Sequence, residues 1–143
     1  MVIGITNDHF AVIKKKKIIE YLKKQGHEVI DYGYNGSEKE KVDYPIYANK
    51  LTKEFNKIDI GILLCTSGIG MSIAANRVKG IRCARVVNKE EAITSRLHNH
   101  ANCLAISGKY SLHKIKTIID SFINTKYDQT QRYEKRAQML DEC

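Results

Sequence analysis

The 143-residue chain has no tryptophan, one proline and three phenylalanines. It has no apolar run long enough to cross a membrane. Its first residues, MVIGI, lead straight into a polar segment, so they do not read as a signal peptide. Both absences point to the cytoplasm. The four cysteines, Cys65, Cys83, Cys103 and Cys143, form no CxxC pair, and no Cys/His cluster has zinc-finger spacing. Cys83 and Cys103 lie in apolar, strand-like stretches and read as buried free thiols. A GxxxxGK[ST] phosphate loop is absent. So is the arginine that a Cys-x5-Arg phosphatase loop needs at position 71, where Met71 stands. That removes the phosphate-ester hydrolase reading. No RNP-like aromatic motif or helix-turn-helix pattern accompanies the net charge of +8. The densest basic run, Lys14 to Lys17, covers a whole helical circumference rather than one face. The charge therefore suits a small anionic ligand better than nucleic acid.

What remains is ordinary for a folded domain: 43% hydrophobic and 28% charged residues, enough for one domain, 1–143, around a single core. Strand and helix signals alternate. Val2–Thr6 reads as a strand, Ala11–Gln25 as a helix stopped by Gly26, and Glu28–Tyr32 as a strand. Residues 34–42 are polar and loop-like. Pro45 fits the first turn of a helix running to Phe55. Ile58–Cys65 is almost continuously apolar, as a strand buried on both faces should be. Met71–Val78 is helical and Ile81–Val87 strand-like. Asn88, with Glu91 three residues on, resembles a capping box for a helix to His98. Asn102–Ser107 is a strand, and Leu112–Ile123 and Gln129–Leu140 are helices. The pattern predicts a three-layer α/β/α sandwich around a five-stranded parallel, Rossmann-like sheet, with an extra C-terminal helix.

Ligands of such sheets bind beyond the carboxyl ends of the strands. Asp8-His9 follow the first strand, Cys65 to Gly70 the third, and Ser107 to Lys109 the fifth. The run ILLCTSGIGMSIAANR, residues 62–77, passes from apolar strand to glycine-rich turn to helix. Its glycines, Gly68 and Gly70, let backbone N–H groups converge at a helix start. Such a cradle suits an anion or a developing oxyanion. Cys65 at its edge has the setting of an activated thiolate, nucleophile or base, and Ser67 can relay a proton. His98-Asn99-His100 fall between the fourth helix and the fifth strand, at the opposite end of the sheet. His98 therefore does not easily reach Cys65 of its own chain, whereas a second chain could supply it.

Two further features stand out. Lys15 shares a helical stripe with Ala11, Ile18 and Leu22, a face that should be buried, so its stem is expected to snorkel over the sheet edge. Arg132 and Arg136, four apart on the last helix, repel one another unless an anion lies between them. Tyr133, Ala137 and Leu140 form the apolar stripe beside them.

Together, Asp8-His9, Asp43-Tyr44-Pro45, Cys65-Thr66-Ser67-Gly68-Ile69-Gly70, Ser95-Arg96-Leu97-His98-Asn99, Asn102 and Arg132-Tyr133-Glu134-Lys135-Arg136 resemble the ribose-5-phosphate isomerase B family. That family also holds galactose-6-phosphate and allose-6-phosphate isomerases. The resemblance implies aldose–ketose isomerisation of a sugar phosphate through a cis-enediol, without metal or cofactor. It implies Cys65 as the base between C2 and C1, Ser67 as the proton shuttle, and N–H groups of Gly68 to Ser72 around the enediolate. It further implies His98 for ring opening, Asn99 and Asp8 on the sugar, and His9, Arg132 and Arg136 on the phosphate. Tyr44, Gly68, Gly70 and Lys109 complete the binding set. A homodimer (or tetramer) would share its sites, the partner lending His98 and the arginines.

The chain departs from the family pattern at Ala11, usually glycine, and at Thr66-Ser67, usually Gly-Thr. His100 replaces an acid, and Lys109 replaces a frequent arginine. It keeps both the cysteine and the histidine that galactose-6-phosphate subunits often lose, which favours ribose 5-phosphate. A six-carbon aldose phosphate is the alternative substrate. A non-catalytic anion-binding module, with Cys65 merely buried, is the rival of a different class.

Overall fold

The computed structural model describes residues 1–143. Five strands, β1 (Val2–Asn7), β2 (Glu28–Asp31), β3 (Ile60–Cys65), β4 (Cys83–Arg85) and β5 (Cys103–Ser107), form one parallel sheet. Six helices follow the predicted alternation: α1 (Val12–Lys24), α2 (Tyr44–Lys53), α3 (Ile69–Asn76), α4 (Lys89–Asn99), α5 (Leu112–Asn124) and α6 (Gln131–Glu142). None is long and apolar enough to cross a membrane. The sheet order is β2-β1-β3-β5-β4. Right-handed crossovers account for the layers. The moves β2 to β3 and β3 to β4 run one way across the sheet, so α2 and α3 share a face. The moves β1 to β2 and β4 to β5 run the other way, so α1 and α4 cover the opposite face, joined by α5.

Alternation along the central strands splits the core between those faces. Ile60, Ile62 and Leu64 of β3, with Leu104 and Ile106 of β5, pack among Ile18, Leu22, Ile115, Ile119 and Phe122. Leu63, Cys65, Cys103 and Ala105 point the other way, toward Ala48, Leu51, Met71 and Ala75. Cys65 therefore ends its strand facing the α2–α3 layer. Pro45 sits in the first turn of α2, as read from sequence. At α4, Asn88 Oδ1 accepts from the Glu91 N–H at 2.8 Å, and Glu91 Oε2 in turn accepts from Val87 N–H at 2.9 Å.

Two expectations change. The apolar run Ile81–Val87 contributes only Cys83–Arg85 to the ladder, because β4 is an edge strand with one neighbour. Arg82 N–H is taken instead by Asn102 Oδ1 at 2.8 Å. Lys15 does not snorkel: it is fully buried, and its ammonium ends inside the protein on Asp31.

No cysteine is in a disulfide. Burial pushes the Cys103 thiol up to about 12, and burial raises Cys83, beside it across the β4–β5 pair, well above its ordinary value. Thiolate is the reactive form. Alkylation of the native protein at about pH 8, near the ordinary thiol value, should leave Cys83 and Cys103 unmodified. Both should label only after unfolding, and mass spectrometry of the digested protein reads this directly. Fast labelling of either in the folded state would contradict the packing described here.

Candidate active site

Register sets the site. Asn7 pairs with Leu64 and Cys65 with Ser107, so Asp8, Cys65 and Ser107 stand level across the carboxyl ends of three adjoining strands. Asp8 is 6% exposed and Cys65 5%. Asp8 N–H donates to Leu64 O at 3.3 Å, and Gly108 N–H to Cys65 O at 2.7 Å, which ties the three ends together.

Beyond β3 the chain turns into α3. Gly68, the residue before the helix, has φ +78°, a conformation that side chains with a Cβ rarely adopt. That turn aims its N–H at Cys65 Sγ, 3.1 Å away. Ile69 N–H donates to Ser67 Oγ at 3.2 Å, and Ser72 N–H to Gly68 O at 3.1 Å. Of the amides from Gly68 to Ser72, those of Gly70 and Met71 are left without an intramolecular acceptor, as the second and third helical residues must be. A thiol, a hydroxyl and two free N–H groups on a helix N-terminus thus meet in one place. This set can move a proton and hold the oxyanion that its removal creates.

The neighbouring loops enclose it. A Cβ on Gly70 would stand 2.7 Å from the Tyr44 ring, so Tyr44 lies directly over the start of α3. A Cβ on Gly108 would stand 3.0 Å from both Ala11 Cβ and Phe10, which places the turn after β5 against the turn after β1. Lys109 and Phe10 share the wall of an adjacent cleft of about 610 Å³, which neither Cys65 nor Ser67 lines. Asp8 Oδ1 caps the short helical turn His9–Ala11 by accepting from Phe10 N–H at 2.9 Å. His9 follows it, and its Nδ1 accepts from the Val42 N–H at 3.1 Å. With Nδ1 used as an acceptor, the proton of the neutral ring sits on Nε2, which becomes the free donor.

Sequence reasoning missed two contributors. Val42 acts through its backbone amide, which leaves no mark in residue type. Arg85, at the end of β4, donates from Nε to Ser67 O at 3.3 Å and so braces the loop. Its position at a strand's carboxyl end was the available signal.

The other predicted residues gather elsewhere. His98 and Asn99 end α4, at the amino end of β5. The His98 ring stacks on Tyr133 with centroids 4.7 Å apart, and the Arg132 guanidinium lies 4.7 Å over the same ring. Arg136 is one turn further along α6 and exposed. The stripe beside it divides: Ala137 is buried, whereas Leu140 is 52% exposed. Leu140 and Asn99 border a cleft of about 440 Å³. From Cys103 to Ser107, level with Cys65, the strand rises about 13 Å. His98 lies beyond that distance, so the two clusters do not touch within one chain.

Known proteins resemble the chain over nearly its whole length. A model of the family described as Ribose/Galactose Isomerase matches residues 3–140. The chain is 37% identical over 136 residues to ribose-5-phosphate isomerase B of Escherichia coli, covering 93% of this chain and 89% of that one. It is also 37% identical over 145 residues to a galactose-6-phosphate isomerase subunit of Clostridium acetobutylicum, covering 99% of this chain and 83% of that one. A crystal structure of a ribose 5-phosphate isomerase from Thermotoga maritima superposes with a TM-score of 0.93 at 42% identity, covering 99% and 98% of the two chains. With matching that runs through both ends of the sheet, the chain belongs to the ribose/galactose isomerase family.

Proposed function

We propose that this chain is a single isomerase domain, 1–143, that interconverts ribose 5-phosphate and ribulose 5-phosphate in the cytoplasm. The observation that carries the reading is the Cys65 sulfur, which accepts the Gly68 N–H beside the unpaired amides of Gly70 and Met71. Cys65 as thiolate removes the proton from C2 of the open-chain aldose. The electron pair moves into a C1–C2 double bond, and the former carbonyl oxygen becomes an oxyanion. The amides of Gly70 and Met71 take up that charge at the start of α3. Ser67 passes a proton between O1 and O2, and the cysteine proton returns to C1. Asp8 holds sugar hydroxyls, and Tyr44 closes over the sugar. His9 Nε2–H and Lys109 meet the phosphate.

Ring opening and the rest of the phosphate grip need His98, Asn99, Arg132 and Arg136. Their distance from Cys65 supports a homodimer in which each site borrows them from the partner chain. Ile69 and Ile73 on α3, with Met139 and Leu140 on α6, are each more than half exposed and offer apolar surface for such a contact. The likeness to a galactose-6-phosphate isomerase subunit makes a six-carbon aldose phosphate the second reading of the substrate. Assays with ribose 5-phosphate, allose 6-phosphate and galactose 6-phosphate decide between them.

Two outcomes follow from this chemistry. Cys65→Ala should slow exchange of the C2 proton with solvent at least about 100-fold, the usual contribution of a positioned base. Binding of inorganic phosphate should be nearly unchanged. An alanine variant that exchanges the proton at the normal rate would remove Cys65 from this role.

Mixed refolding tests the shared site. Cys65→Ala and Arg136→Ala proteins, each nearly inactive, are unfolded together and refolded. A mixed dimer holds one site with both defects and one with neither. Random pairing should restore about a quarter of wild-type activity if the sites are independent. Mixed dimers that form without regaining activity would mean that both residues serve one chain's own site.

A further inference from the structure

Lys15 is the one fully buried charged side chain, and none of the chemistry above uses it. Its Nζ donates to Asp31 Oδ1 at 2.9 Å, Tyr34 O at 3.0 Å and Asn35 Oδ1 at 2.8 Å. All three ammonium hydrogens are thereby engaged. Burial lowers its pKa from the ordinary lysine value, and Asp31 opposes that shift through its hydrogen bond and charge. The acceptors are not scattered. Asp31 ends β2, and Tyr34 and Asn35 open the segment that leads from β2 to α2. Asp31 gathers the same segment with both carboxylate oxygens, Oδ1 accepting also from Gly33 N–H at 2.9 Å and Oδ2 from Asn35 Nδ2 at 3.2 Å.

This segment lies on the active-site turn. Tyr34 N–H donates to Asn7 O at 3.2 Å, immediately before Asp8. Any Cβ at Gly33 would collide with Asn7 and stand 3.0 Å from Lys15 Nζ, so backbone and ammonium are closely packed there. Asn7 Oδ1, buried beside them, has no hydrogen-bond donor of its own. Further along, Glu38 Oε1 accepts from Ile13 N–H at 3.0 Å, and Tyr34 OH donates to Glu40 Oε2 at 2.8 Å. The segment then delivers the Val42 N–H to His9 Nδ1.

We propose that Lys15 is a positioning residue for His9: its ammonium anchors residues 33–42, and through them holds the Val42 N–H that keeps the His9 proton on Nε2. The inference rests on the isomerase reading for the purpose of that proton, which is to meet the substrate phosphate. An apolar stem without the ammonium frees the start of the segment, leaves Asp31 without its cation and lets Val42 drift. Nδ1 then loses its fixed donor, and the ring samples both tautomers.

Long-range 1H–15N spectra of the histidine-labelled full-length protein report the tautomer at about pH 8, above the ordinary histidine range. The wild type should show His9 with its proton on Nε2 alone. Lys15→Met should show a mixture, together with a KM for ribose 5-phosphate raised about tenfold and kcat within about twofold, the pattern of lost binding rather than lost chemistry. A folded Lys15→Met protein with an unchanged His9 spectrum overturns the proposal. Should that variant not fold, Asn35→Ala decides. Asn35 is exposed, and its loss removes one acceptor from Lys15 and one donor from Asp31. It should shift the tautomer in the same direction, and an unchanged spectrum again overturns the proposal. If the wild type turns over no sugar phosphate, the isomerase reading fails, yet the tautomer spectra still decide the link from Lys15 to His9.

Discussion

Parallel pairing is the constraint from which the rest follows. In a parallel sheet every carboxyl end lies on one side, and every helix returns the chain to the other. Residues that follow strands therefore meet at one end, and residues that follow helices meet at the opposite end. Asp8, Cys65, Ser67 and Lys109 belong to the first kind, and His98 and Asn99 to the second. Helix α6 reinforces the second end through Asp141, whose two carboxylate oxygens accept from Arg82 Nη1 at 2.6 and 2.8 Å. A ligand that needs both groups of residues needs a second chain, whatever the loops do. The division of chemistry between chains in the dimer proposed above would thus be a result of topology and not of local sequence.

Each end is stiffened by its own network before any association. At the carboxyl end, the Gly68 turn and the Val42 amide hold a thiol and an imidazole in set orientations. At the amino end, Arg96 donates to Ala101 O at 2.6 Å and lies 4.6 Å over the Tyr127 ring and 5.0 Å over Phe122. His100, at φ 49°, stacks on Tyr127 at 4.5 Å, and its Nε2 lies 3.0 Å from Asp128 O. The left-handed backbone at His100 costs about 1–2 kcal/mol for a residue with a Cβ, and these contacts offset it. His100 thus serves to tie the end of α4 to the segment before α6. Asp128 does the same from the other side. Its N–H donates to Leu97 O at 3.2 Å. Hydrogen bonds from Thr130 hold the Asp128 carboxyl below the usual carboxylate range, so this local tie at the start of α6 is present at neutral pH and is lost as pH falls through that lowered value.

Much of this was legible because it is local. Cys65, Gly68 and Gly70 are read from six consecutive residues that end a strand and open a helix. Pro45 and Asn88 mark helix starts by the chemistry of single positions. The separation of His98 from Cys65 follows from counting strands and helices. What was not legible depends on partners far away in sequence. No pattern in Ile81–Val87 says that β5 will insert between β3 and β4, leaving that run as an edge. The stripe position of Lys15 announced burial, but not that Asp31 and Asn35 would receive its charge. The support of His9 joins residues 33 positions apart through a backbone amide, and amides look alike in every sequence.

The two networks also bear on what association has to achieve. Binding two chains costs translational and rotational freedom, and it costs more when side chains and loops must be ordered at the same time. Here Tyr133 already carries His98 on one face and Arg132 against its ring, and α6 is already tied down by Arg82 and Ala137. The opposing half likewise has its amides aligned by α3. In the proposed dimer, joining them would require docking rather than folding. Arg132 and Arg136 face solvent, four residues apart, with no carboxylate paired to either. Their repulsion is mild at that spacing, about 0.2–0.5 kcal/mol. It becomes attraction only when a dianion enters between them. In the proposed dimer a substrate phosphate at the joint between two such halves would hold the pair together while it is being held, and occupancy of the site would then add to the stability of the dimer.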